Sequence, residues 1–168
     1  MTVSADSRKL APRAEPDTGD SAVIRLHAYL WERFPLLANG LLILSFYSSN
    51  QFLAQALSQP GEPMRYDLSS LLGCIAILCF FLHMRIFDDH KDYAADCRHY
   101  PDRVLQRGVV TLRELKMLAA VAIACEFALA AICGPAALLA WLVAFAFSLL
   151  MLKEFFVGDW LKQRFLLY

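Results

Sequence analysis

Four long stretches of this 168-residue chain contain neither lysine nor arginine: Leu36–Leu57, Leu68–Met84, Leu118–Ile132 and Ala136–Leu152. Charged residues make up only 19% of the whole and hydrophobic residues 58%, against about 25% and about 45–50% in an ordinary soluble domain. The shortage of charge is concentrated in blocks, which argues against a soluble helical core and for membrane spans. Other absences narrow the chemistry. The five cysteines (Cys74, Cys79, Cys97, Cys125, Cys133) include no C-x-x-C pair, so they read as small apolar packing residues. No H-E-x-x-H and no two-histidine helical spacing occurs, despite His90 and His99, which removes the usual zinc patterns. The first 30 residues lack a continuous apolar region, so no cleavable signal is expected and the first span would itself direct insertion. There is no internal repeat, and at zero formal net charge no nucleic-acid partner is expected.

The basic residues are distributed unevenly between the blocks. Arg8, Lys9, Arg13, Arg25 and Arg33 precede the first, and Arg65 alone lies between the first and second. Seven (Arg85, Lys91, Arg98, Arg103, Arg107, Arg113, Lys116) lie between the second and third, and Lys153, Lys162 and Arg164 follow the fourth. Four spans with the N-terminus inside therefore put 15 of the 16 basic residues on the cytoplasmic side, as the positive-inside bias requires. The expected fold is all-α, a polytopic membrane helical bundle of about four transmembrane helices in an inner or plasma membrane. The expected spans are about 36–57, 68–87, 114–133 and 135–152, within a membrane domain 36–168.

Residues 1–20, rich in Ser, Asp, Pro and Gly, read as a disordered tail. Residues 21–35, with Val23, Ile24, Leu26, Leu30, Trp31 and Phe34, read as an amphipathic helix at the membrane interface. The first span is polar (Asn39, Ser45, Ser48, Ser49, Asn50, Gln51, Gln55), so that face should look into the bundle or a cavity. His83 is expected at the interface. Thr111-Leu112-Arg113-Glu114 reads as a capping box opening the third span. Glu126 falls near mid-membrane, where a carboxylate is expensive unless protonated, paired or functional; structural pairing is the favoured reading.

The densest chemistry is Asp88-Asp89-His90-Lys91-Asp92-Tyr93-Ala94-Ala95-Asp96. On a continuous helix Asp89, Asp92 and Asp96 share a face, while Asp88 points about 100° away. Like charges on one face repel and call for a compensating cation. Oxygen ligands without cysteine suit Mg²⁺ or Mn²⁺, and an EF-hand is excluded by the missing glycine and twelfth-position glutamate. Mg²⁺ held by one or two carboxylates completes its shell with water and phosphate. Lys91, Arg98, Arg103 and Arg107 could supply the further positive charge. This combination at a membrane surface describes a site for a diphosphate with an apolar tail; the bland alternative is a solvated cytoplasmic loop.

Asp88-Asp89-x-x-Asp92-x-x-x-Asp96 resembles the N-D-x-x-D-x-x-x-D motif of the UbiA superfamily of membrane prenyltransferases, with Asp88 in place of the usual Asn. Arg103-Val104-Leu105-Gln106-Arg107-Gly108-Val109-Val110-Thr111 is similar to the family's R-P-[IL]-x-x-G-x-[IV]-[ST] segment, with Val104 for proline. Lys153 matches a basic residue after the fourth span. The resemblance covers roughly residues 35–153. It implies Mg²⁺-dependent transfer of a prenyl group from a prenyl diphosphate to an acceptor, often aromatic. Asp89, Asp92 and Asp96 would be the catalytic metal-binding carboxylates. Arg103, Lys153, Arg107, Asp88 and Asn39 would contact diphosphate or substrate.

The family has about nine spans and a second aspartate motif; this chain has four expected spans and no second motif. The expectation is therefore the N-terminal part of such an enzyme: a truncated product, possessing half a site and doubtfully active alone, or one chain of a split enzyme whose partner supplies the remaining helices. The alternatives are a non-catalytic membrane remnant and, less favoured, a lipid phosphotransferase, whose D-G-x-x-A-R and G-x-x-x-D-x-x-x-D pattern is absent.

Overall fold

The computed structural model describes residues 21–153, which form six helices: α1 (Ala22–Arg33), α2 (Leu36–Ser58), α3 (Leu68–Lys91), α4 (Tyr93–His99), α5 (Leu112–Cys133) and α6 (Pro135–Leu152). The tail at 1–20 and the aromatic segment from Glu154 to Tyr168 lie outside the described residues. Among the described residues the chain is all-helical, and three helices, α3, α5 and α6, are long and apolar enough to cross a membrane. Helix α2 has 23 residues, and thus the length of a span, but its serines and amides keep it outside that set.

Local sequence sets the helix boundaries. Thr111 opens α5 with the expected capping box: its hydroxyl accepts from Glu114 N–H at 3.2 Å, and Glu114 Oε2 accepts from Thr111 N–H at 2.8 Å. A second reciprocal cap opens α3, where Asp67 Oδ1 accepts from Ser70 N–H at 2.9 Å. Its carboxylate also accepts from the Ser69 and Ser70 hydroxyls, at 2.7 and 2.9 Å. Those donors, the Ser70 backbone N–H foremost, hold the Asp67 carboxyl down at about 2. Gly134, at φ +108°, supplies the left-handed residue that lets α5 turn directly into α6, and Pro135 occupies the first position of α6, where its missing N–H costs nothing.

Helix α3 is the centre of the bundle. It packs most extensively on α5 and also touches α2, α4 and α6. The buried face of α5 is Leu115, Ala119, Ala122, Glu126 and Ala130, a helical stripe whose three alanines let the two backbones approach. Where α2 crosses α3, the Tyr47 side chain lies over Gly73 so closely that a Cβ there would collide with its hydroxyl. Outside these seams large apolar side chains face outward: Leu37, Leu42, Val121, Ile132 and Leu139 are all more than 60% exposed.

One expectation changes. The polar residues of α2 do not form a common inward face. Asn39, Ser49, Asn50 and Ser58 bond to the carbonyl four residues earlier on their own chain, at 2.8–3.1 Å, so each satisfies itself locally. Gln51 and Gln55 instead reach the next segment, to Ser70 Oγ at 3.3 Å and to the Arg65 backbone at 2.6 and 2.9 Å. His83 is fully buried and lies within hydrogen-bond distance of Glu126 on α5, at 2.7 Å.

Candidate functional site

The sequence concentrates its charged chemistry on the aspartates, and the structure gathers them. Helix α3 ends at Lys91, Asp92 forms the joint, and α4 resumes at Tyr93. The hydrogen-bond ladder passes through the joint: Asp92 N–H donates to Asp88 O and Asp96 N–H to Asp92 O, both at 2.9 Å. The aspartates therefore keep nearly helical spacing. Asp88, Asp89, Asp92 and Asp96 line one open cavity of about 400 Å³ together with Arg33, Arg85, Lys91, Arg103 and Tyr100.

Asp89 is its most deeply placed group, 2% exposed. Its Oδ1 accepts from Arg33 Nη2 at 2.6 Å and from Arg85 Nη2 at 3.1 Å. Its Oδ2 accepts from the Tyr29 hydroxyl at 2.7 Å. Burial, followed by the adjacent Asp89 charge, pushes the Tyr29 phenol well above the usual tyrosine range. Asp96 Oδ2 accepts from Arg103 Nη1 at 2.8 Å and lies 3.9 Å from Arg33. Arg103 is in turn stacked on Tyr100, its guanidinium carbon 3.7 Å from the ring centre. Lys91 stands 3.6 Å from Asp88 and 3.9 Å from Asp92, whose side chains are 48% and 43% exposed.

Helix α1 closes one side. Arg25 Nε donates to Glu114 Oε1 at 3.1 Å, and Glu32 Oε1 accepts from Val104 N–H at 3.1 Å. The buried cluster of Tyr29, Ile86, Val104, Leu105, Val110, Leu115 and Ala119 fixes α1 and the 100–111 loop beneath the site.

This arrangement does not fit a resident magnesium ion. Both oxygens of Asp89 are taken by cations and a phenol. Among the described residues no three His, Cys, Asp or Glu side chains are placed to hold a metal. The donor set suits an anion instead. Four cationic side chains face the cavity beside the four aspartates, and the Nε of Arg85 is buried with no hydrogen-bond partner among the described residues.

Of the site residues expected from sequence, Asp88, Asp89, Asp92, Asp96 and Arg103 come together. Asn39 bonds back to Pro35 O, Arg107 and Lys153 are exposed, and none of the three lines the cavity. Arg33, Arg85 and Tyr29 were missed. Arg85 carried a signal, because it lies four residues before Asp89 on one helix face. Tyr29 and Arg33 carried none, being on a separate helix.

No known protein family, no curated protein and no solved structure matches the chain. The resemblance to membrane prenyltransferases therefore rests on the motif residues alone.

Proposed function

We propose that this chain is a membrane-embedded, UbiA-like protein whose charged cavity binds the diphosphate head of a prenyl diphosphate on the cytoplasmic side. The observation that carries the reading is the cavity itself. Arg33, Arg85, Lys91 and Arg103 converge there beside the aspartates of the motif, with Arg85 Nε still in need of an acceptor. Guanidinium groups bind phosphate oxygens in fork geometry, and Asp89 and Asp96 hold two of these forks in place. Apolar helices α3, α5 and α6 beside the cavity provide the surroundings a prenyl chain requires. The excess of basic residues in the segments flanking α3 and α5 supports the cytoplasmic assignment.

Prenyl transfer to an acceptor is the activity the motif resemblance adds. Arginines facing the departing diphosphate would stabilise its charge. Mg²⁺ belongs to this proposal only as an ion accompanying the diphosphate; Asp88 and Asp92, the more exposed carboxylates, would be the residues available to it. A second chain supplying further helices completes the split-enzyme form of the reading.

The test is binding of a radiolabelled prenyl diphosphate to the full-length protein in membranes, with and without Mg²⁺. Wild type, Asp92→Ala and Arg103→Ala are compared. Saturable binding that Arg103→Ala weakens at least tenfold supports the anion site. A Mg²⁺ requirement lost in Asp92→Ala supports the ion. Equal binding by all three sinks the site assignment.

A second reading is favoured by the commitment of both Asp89 oxygens to Arg33, Arg85 and Tyr29. The same ion pairs would fasten α1 to the bundle in a non-catalytic membrane protein. Absence of any diphosphate binding, together with loss of stability in Arg33 variants, selects it.

A further inference from the structure

Helix α1 carries apolar residues on two sides. One side packs on the bundle: Tyr29 is fully buried, and Leu26 and Leu30 lie against the same core cluster. The other side is open. Val23 and Trp31 are each 76% exposed, and Ile24 is 56% exposed. On helical geometry Val23, Ile24, His27 and Trp31 fall within an arc of about 100°, with Tyr29 on the far side. They form one outward face. His27 is its polar member, its ring stacked on Trp31 with centroids 6.3 Å apart.

The arginines of α1 do not share that face. Arg25 donates to Glu114, and Arg33 donates to Asp89 with little of its side chain exposed. Local sequence gives α1 an amphipathic character; the fold removes its permanent charge from the outward side.

Two observations say what covers this face. The first is its level in the bundle. α1 is bonded to Asp89, three residues from the end of α3, and to Glu114, in the first turn of α5. Both α3 and α5 are long and apolar enough to cross a membrane, so α1 sits where their apolar runs give way to charge. The second is continuity. Beyond Pro35 the outward apolar surface resumes on α2 at Leu36, Leu37, Leu41 and Leu42, all more than half exposed, and α2 packs beside α3.

We infer that the outward face of α1 docks on the bilayer interface, with Val23, Ile24 and Trp31 set into the boundary between headgroups and acyl chains. Indole rings favour that level, and burial of the aliphatic side chains supplies the driving force. Because Arg25 and Arg33 are committed to carboxylates of the bundle, anionic headgroups find no lysine or arginine on this face. The docking is therefore apolar rather than electrostatic, and it stands independently of diphosphate binding.

The test is tryptophan fluorescence of the full-length protein in vesicles of brominated phosphatidylcholine. Subtracting Trp31→Phe from wild type isolates the Trp31 emission, since Trp141 and Trp160 are common to both. Bromine near the carbonyl end of the acyl chains should quench this signal about twofold more than bromine near the methyl end, as a ring at the headgroup boundary requires. Iodide in the water should quench it little. Adding phosphatidylserine, or moving from low to high salt, should leave both results unchanged. Stronger quenching by the deep bromine would place Trp31 in the hydrocarbon core and overturn the proposal. A signal open to iodide and blind to bromine would leave the face in water. A signal shielded from both would mean that protein, such as a second copy of the chain, covers it. Either result overturns the docking. Quenching that needs phosphatidylserine or is lost in high salt would overturn its apolar character.

Discussion

Tyr29 and Asp89, sixty residues apart in sequence, are joined by a buried 2.7 Å hydrogen bond in which the phenol donates to the carboxylate. It links α1 to the C-terminal end of α3, directly beneath the charged cavity. Tyr29→Phe keeps the ring and removes the donor, leaving one oxygen of a buried carboxylate without its partner. The expected loss of stability is about 1–3 kcal/mol, measured by thermal or SDS-induced unfolding of the purified protein. A variant as stable as wild type would mean that water replaces the phenol.

The same pairing predicts a titration. Burial and the Asp89 charge raise the Tyr29 phenol above its ordinary range, so its contribution to stability is fully present below the unfolded value of about 10. It is lost only as pH climbs through the higher folded value. Absorbance of phenolate near 295 nm (an ordinary tyrosine signal) should rise around pH 10 for the exposed tyrosines. Subtracting Tyr29→Phe from wild type should leave no component there while the protein stays folded.

Arg33 faces Asp89 at 2.6 Å with only 13% of its side chain exposed. Truncating one member of such a pair strands the other charge, so Arg33→Ala should cost about 3–5 kcal/mol. Replacing both, as Arg33→Met with Asp89→Asn, should recover most of that loss. A double-mutant cycle on unfolding free energy measures the coupling; additive losses would show that Arg85 alone suffices for Asp89.

Asp67 responds to acid rather than base. Its carboxyl is held at about 2 by Ser70 N–H and the neighbouring hydroxyls, so its cap on α3 is complete above the unfolded value near 4. The cap is lost as pH falls through about 2. Wild type should therefore be more stable than Asp67→Ala at neutral pH, and the difference should shrink toward zero below pH of about 2. A difference that persists in acid would assign the effect to packing.

Gly73 tests the α2–α3 contact. Any side chain there meets the Tyr47 hydroxyl, so Gly73→Ala should lower stability by about 1–3 kcal/mol, the usual cost of overpacking. Combining it with Tyr47→Ala should relieve the clash. If Gly73→Ala is harmless by itself, Tyr47 has another rotamer open to it.

Much of the helical plan was legible in local sequence. The apolar blocks marked α3, α5 and α6, Thr111 and Glu114 marked the start of α5, and Gly134-Pro135 marked the turn into α6, because period, caps and turns depend on neighbouring residues. The spacing of Asp89, Asp92 and Asp96 also survived, because the helix is nearly continuous through Asp92. What those aspartates face was not legible. Tyr29 and Arg33 reach Asp89 only because α1 folds back under α3, and His83 meets Glu126 across 43 residues only because α3 and α5 align. A charge pattern states that compensation is needed; which atom provides it depends on how the helices are placed. The sequence determined where helices and aspartates occur, and the tertiary structure decided that arginines and a phenol hold those aspartates, since such pairings are set by packing at long range.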